Sequence, residues 1–118
     1  MGRLNFMDWI NLVSPDQIEV IKQESNTSPV LIFKHSTTCS ISAMAYHRLQ
    51  RGSKNFKIKI YYLDLRAHRE VSNLVASVFD VIHESPQVLL IDKGVAVYHR
   101  SHSDINPSDI LEVVETTS

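Results

Sequence analysis

At 118 residues with 43% hydrophobic content, the chain is long enough to bury a core without disulfides or metals and cramped for two domains, so one domain over residues 1–118 is expected. A formal net charge of -1 with 21% charged residues gives no strong field for a polyanion or a membrane surface, so neither nucleic acid nor membrane is an expected partner. No run approaches the roughly 18 apolar residues that cross a bilayer, and a single cysteine excludes an internal disulfide and a cysteine-cage zinc site.

The first ten residues, Met1 to Ile10, lack the long apolar run of an export signal, and Phe6 stands where a myristoylation signal needs Ser or Thr. A cytoplasmic location is therefore expected. Ser14-Pro15-Asp16-Gln17 reads as a helix start, with Ser14 as cap, Pro15 at the first helical position and Gln17 as capping-box partner. Ile18 and Ile21 give that helix its apolar edge. Val30-Leu31-Ile32-Phe33, bounded by Pro29 and Lys34, is a short continuous apolar run that suits a central strand covered on both faces.

After His35-Ser36-Thr37-Thr38, residues Ile41, Met44, Ala45 and Leu49 recur at helical spacing up to Gly52, so Cys39 opens a helix. Ile58 to Leu65 is rich in β-branched and aromatic residues and reads as a strand parallel to the first. Val71, Leu74, Val75, Val78 and Phe79 fit the i, i+3, i+4, i+7, i+8 template of an amphipathic helix. Ser85-Pro86 then introduces the strand Gln87–Ile91, and Asp92-Lys93-Gly94 turns it into the antiparallel strand Val95–His99. Asn106-Pro107 caps a closing helix carrying Ile110, Leu111 and Val114. From Val30 the order is β-α-β-α-β-β-α: an α/β chain with a mixed four-stranded sheet and an extra N-terminal helix.

A thiol attacks as its anion, and the unpaired N–H groups and positive dipole end at a helix N-terminus favour that anion. Cys39 stands there, with the hydroxyls of Thr38, Ser40 and Ser42 close enough in sequence to hydrogen-bond the sulfur. The polar run Lys34 to Thr38 argues against a packed, inert cysteine, and strand-to-helix junctions at a sheet's carboxyl edge are where ligands collect. Cys39 is therefore the candidate nucleophile. Lys34 is a candidate for steering an anionic thiol, and His35, a weaker one, for donating a proton to a departing thiol. Pro86 can lock a turn that leaves the Ser85 backbone free to pair with a peptide-like substrate. Six histidines are scattered, and His99 and His102 have no ligand companions at a recognised metal spacing, so no metal site is expected. With three glycines in the chain no phosphate-cradling loop can be assembled.

The stretch Phe33-Lys34-His35-Ser36-Thr37-Thr38-Cys39-Ser40-Ile41-Ser42, with Ser85-Pro86-Gln87 downstream, resembles the YtxJ-type monothiol bacilliredoxins, thioredoxin-like proteins of the bacillithiol system. Where that family usually has Thr-Cys-Pro-Ile-Ser, position 40 here is Ser40, and Ser42 takes the place of a dithiol protein's resolving cysteine. The resemblance implies a thioredoxin-like fold and an enzyme that removes bacillithiol from protein mixed disulfides through Cys39. Ser85-Pro86 would match the family's cis-proline turn. Lys34, Thr38, Ser40, Ser42, Ser85 and Pro86 would line the substrate site. Bacillithiol would serve as co-substrate with no bound cofactor, and bacillithiolated proteins would be the partners. Two other readings stay open: a non-enzymatic thioredoxin-like binding module whose Cys39 is merely capped by oxidants, and a glutaredoxin-like carrier of an iron–sulfur cluster.

Overall fold

The computed structural model describes residues 9–117. In chain order they form β1 (Ile10–Asn11), α1 (Asp16–Glu24), β2 (Val30–His35), α2 (Ser40–Gly52), β3 (Lys59–Asp64), α3 (Arg69–Val78), β4 (Gln87–Asp92), β5 (Val95–Ser101) and α4 (Pro107–Thr117). The sequence expectation about export and lipid signals in the first ten residues falls largely on residues 1–8, outside the described ones.

The strands make one sheet in the order β1-β3-β2-β4-β5. β3 runs parallel to β1 and β2, whereas β4 is antiparallel to both β2 and β5. The mixed sheet thus has five strands where four are expected from the sequence. The addition is β1, which sets Ile10 opposite Tyr61 and Asn11 opposite Tyr62. Two residues are too few for an alternating pattern to show, and a strand this short leaves little open edge.

Successive side chains of a strand face opposite ways, so the apolar run of β2 feeds two cores at once. Val30 and Ile32 join Ile18, Ile21, Val71 and Val75 under α1 and α3. Leu31 and Phe33 join Ala45, Leu49, Ile110 and Val114 under α2 and α4. Burial on both faces is the reason this strand reads as an unbroken hydrophobic run. The strand also runs two residues beyond the expected Phe33, because Lys34 and His35 pair with Leu63 and Asp64 of β3.

Helix ends follow local chemistry. At α1 the side chain of Gln17 reaches back, its Oε1 accepting the N–H groups of Val13 (2.7 Å) and Ser14 (3.1 Å), which is the Gln half of the expected capping box. Asn106 caps α4, its Oδ1 accepting from the N–H of Ser108 at 2.9 Å. The β4–β5 turn places Lys93 and Gly94 at φ 52° and 81°, the left-handed pair that a two-residue hairpin loop requires.

One helix face differs from expectation. Ser42, Ala45 and Leu49 form the buried line of α2, whereas Ile41 and Met44 are 51% and 60% exposed. Each of those two lies one residue, about 100° of helix rotation, off that line. An apolar stripe read from spacing alone cannot tell which flank meets the sheet.

Candidate active site

β2 and β3 are parallel, so their carboxyl ends open on one edge of the sheet, and β4, antiparallel to β2, begins there with Gln87 opposite Lys34. The Ser36–Cys39 loop and the Ser85-Pro86 turn therefore lie at the same edge. The Ser85–Pro86 peptide bond is cis. The Ser85 hydroxyl is buried without a hydrogen-bond partner, and the Pro86 carbonyl accepts the N–H of His102 at 3.0 Å.

Cys39 is the N-cap residue of α2, with extended backbone angles (φ -104°, ψ 126°) and a partly exposed side chain. Its carbonyl accepts the Ala43 N–H at 3.0 Å, and its own N–H donates to the Ser36 carbonyl at 3.2 Å, closing the loop. The sulfur makes no side-chain cap bond to the amides of the first turn.

The expected hydroxyl neighbours divide. Thr38 Oγ1 accepts a hydrogen bond from Arg66 Nη1 at 3.0 Å, and Ser40 is exposed. Ser42 is fully buried, and its hydroxyl accepts the Ser36 N–H at 2.9 Å while sharing a hydrogen with His35 Nδ1 at 2.6 Å. The expected bond from Ser42 to the thiol is thus replaced by a tie between the first turn of α2 and the end of β2. A buried hydroxyl must be satisfied, and these partners satisfy it.

Lys34 and His35 correct the sequence reading further. Both were expected among polar loop residues at the mouth of the site, and both are buried, Lys34 fully and His35 to 6% exposure. Pairing with β3 decides this, because it carries β2 through Lys34 and His35 into a sheet whose faces are covered by helices, whatever the polarity of the residue, with β4 also flanking Lys34. Lys34 points away from α2 and places Nζ 3.1 Å from His83 Nδ1, with Ser72 Oγ 3.4 Å from the same nitrogen. Burial pushes the Lys34 amine down to about 8. It also pushes His83 down, helped by the positive charges of Lys34 and Arg69.

His35 stacks on Tyr46 (centroids 5.1 Å, 17° between planes) and on Phe33 (5.7 Å, 26°). Trp9 closes this cluster, edge-on to Phe33 and Tyr46. Burial lowers the His35 pKa, with Asp64 opposing and His47 reinforcing the shift. His35 is thus a packed imidazole in an aromatic stack.

Arg66 and His83 are two neighbours of this edge that the sequence does not mark as site residues, His83 being only one of six scattered histidines. Arg66 follows β3 by two residues, where the only signal is its place at the carboxyl edge of a parallel strand; His83 carries no local signal at all. Among the described residues no three His, Cys, Asp or Glu side chains gather closely enough to hold a metal ion. No helix of the described chain is long and apolar enough to cross a membrane.

Residues 10–110 match the model of a protein family described as monothiol bacilliredoxin BrxC. A solved structure with a thioredoxin fold, to which an oxidoreductase role is ascribed, superposes with a TM-score of 0.81 at 37% identity, covering 96% of this chain and 99% of its own. Thioredoxin from Trypanosoma brucei brucei superposes at 0.76 with 12% identity, over 99% of this chain and 96% of that one. Thioredoxin from Fasciola hepatica reaches 0.73 with 13% identity, over 92% and 99%. At such low identity the two thioredoxins show the fold alone.

Proposed function

The chain belongs to the monothiol bacilliredoxin family, with a thioredoxin fold and a thiol redox function, and from that premise we propose that it removes bacillithiol from protein mixed disulfides through Cys39. The observation that carries this reading is the position of Cys39: a partly exposed thiol at the N-cap of α2, on the sheet's carboxyl edge, in a chain with no second cysteine.

In the first step the Cys39 thiolate attacks the bacillithiol sulfur of the mixed disulfide. A Cys39–bacillithiol S–S bond forms, the protein–bacillithiol S–S bond breaks, and the protein sulfur leaves as a thiolate that takes up a proton. The electrons of the S–S bond are conserved, so this step needs no outside oxidant or reductant. Ser42 cannot supply a second sulfur, so a free bacillithiol thiolate attacks the adduct at its bacillithiol sulfur. That exchange releases Cys39 and forms bacillithiol disulfide, which a separate reductase returns to thiol. In this reading the protein works in the cytoplasm, against a reduced pool of small thiols, with bacillithiolated proteins as clients and no bound cofactor.

The test supplies a bacillithiolated protein with excess bacillithiol and follows release of the protein thiol. The wild type is expected to speed release, and Cys39→Ser to leave it at the uncatalysed rate. Equal release by both would sink the reading.

A further inference from the structure

Arg66 is held against the thiol-bearing loop from two directions. Its main chain is fixed by the Asp64 carboxylate, whose Oδ1 accepts the N–H groups of Arg66 (3.1 Å) and Ala67 (3.4 Å), and by Leu65, whose N–H donates to the His35 carbonyl at 3.1 Å. Its guanidinium then donates from Nη1 to Thr38 Oγ1 at 3.0 Å, on the residue covalently joined to Cys39. A long cationic side chain that would otherwise roam is in this way aimed at the reacting sulfur's neighbour.

Among the described residues the cation has no ion-pair partner: the ion pairs join Lys22 to Glu19, Lys59 to Glu24, Lys93 to Asp92 and His102 to Glu84, and none involves Arg66. The nearest acid in sequence, Asp64, has its carboxylate turned to the loop amides. A guanidinium has five N–H donors, and the Thr38 bond uses one. Arg66 is exposed, so the other donors are open to solvent beside the site, in the planar fork that matches a carboxylate. The chain as a whole carries a formal charge of -1, so this positive spot belongs to the loop rather than to the molecule's net field.

We propose that Arg66 is the specificity-determining residue that anchors a carboxylate of the small thiol while Cys39 engages its sulfur. This assignment rests on the thiol-exchange reading above and deepens it: the preferred disulfides are those whose small-thiol half carries a carboxylate. Cys39 forms and breaks the sulfur bond, and Arg66 holds the anionic end, so that sulfur and carboxylate are recognised by two neighbouring loops. The positive charge also favours approach of an anionic disulfide at low ionic strength and loses that effect as salt rises.

The experiment uses two chromogenic disulfides, the dicarboxylate dithiobis(nitrobenzoate) and the neutral dithiodipyridine, with reduced full-length protein. For Arg66→Gln the rate of Cys39 with the dicarboxylate is expected to fall about tenfold, the loss of one charge-assisted contact, while the rate with the neutral disulfide stays within about twofold. Added salt slows the wild type with the dicarboxylate and leaves Arg66→Gln nearly unchanged. Arg66→Lys retains the salt dependence and loses part of the rate, as a point charge replaces a fork. Equal slowing with both disulfides, or none with either, overturns the proposal. If the anchor served an acidic residue of the client protein instead, the small dicarboxylate would react equally with both proteins, which also counts against it. A wild-type Cys39 inert to both disulfides would sink the parent reading itself, an outcome distinct from lost selectivity.

Discussion

Lys34 is a cation placed where water cannot reach it, and its energetics follow from that. Its amine has a value of about 8 against an ordinary 10.5, so between those pH values the unfolded chain binds more protons than the folded one and stability rises with pH. Below about pH 8 both states are protonated and the desolvation penalty is fully present. Lys34→Met puts in an unbranched side chain one heavy atom shorter and removes the charge, leaving His83 with Ser72 as its remaining neighbour. Urea unfolding is expected to show the stability of wild type relative to Lys34→Met increasing from about pH 8 to pH 10 and levelling off as the pH falls toward 7, still above the range in which His83 takes up a proton. A difference independent of pH across that range would show that the amine is solvated. None of this was legible in the residue type. Lysine at a strand end is normally solvated, and only the alignment of β2 with β3 put Lys34 inside.

Among the elements, α2 depends most on a contact its own sequence does not announce. Gly52 closes it and reads from the sequence as an ordinary helix stop. Its backbone angles are right-handed (φ -95°, ψ -9°), so left-handed freedom is not the reason for glycine. The reason is α4: a Cβ on Gly52 would stand 2.3 Å from Pro107 Cβ and 2.7 Å from its Cγ. Proline cannot swing aside, so Gly52→Ala must push α4 away from α2. The expected cost is about 1–3 kcal/mol, the usual range for overpacking, measurable as a lower urea midpoint with unchanged slope. Wild-type stability in the variant would mean that α4 shifts freely. Helices and strands with strong periodicity were readable: α3 buries Val71 and Val75, and Phe79 is buried just past its end, while Val78 at 41% exposure lies on the flank. β1 was not readable, because its two residues pair only once β3 exists to receive them.

For the molecule as a whole, stability comes from two hydrophobic cores on the two faces of one sheet, with no covalent staple, since the chain has one cysteine. The thermal unfolding midpoint of the monomer is therefore expected to be the same with and without a dithiol reductant. A fall of several degrees on reduction would reveal a cross-link the chain cannot make internally. The candidate nucleophile and its helix were visible in one dimension, because the cap position of Cys39 follows from a strand, a polar loop and an amphipathic run that are contiguous. Hydrophobic period, proline and glycine placement and the single sulfur likewise settled the α/β order before any coordinates, since each acts over a few neighbouring residues. The surroundings of that sulfur needed the folded chain. Arg66 reaches Thr38 across 28 positions and Lys34 reaches His83 across 49, and contacts of that separation exist only after parallel strands align. Ser42 turns to His35 instead of the thiol for the same reason: which partner a hydroxyl meets depends on the face its helix presents, and packing against the sheet chooses that face.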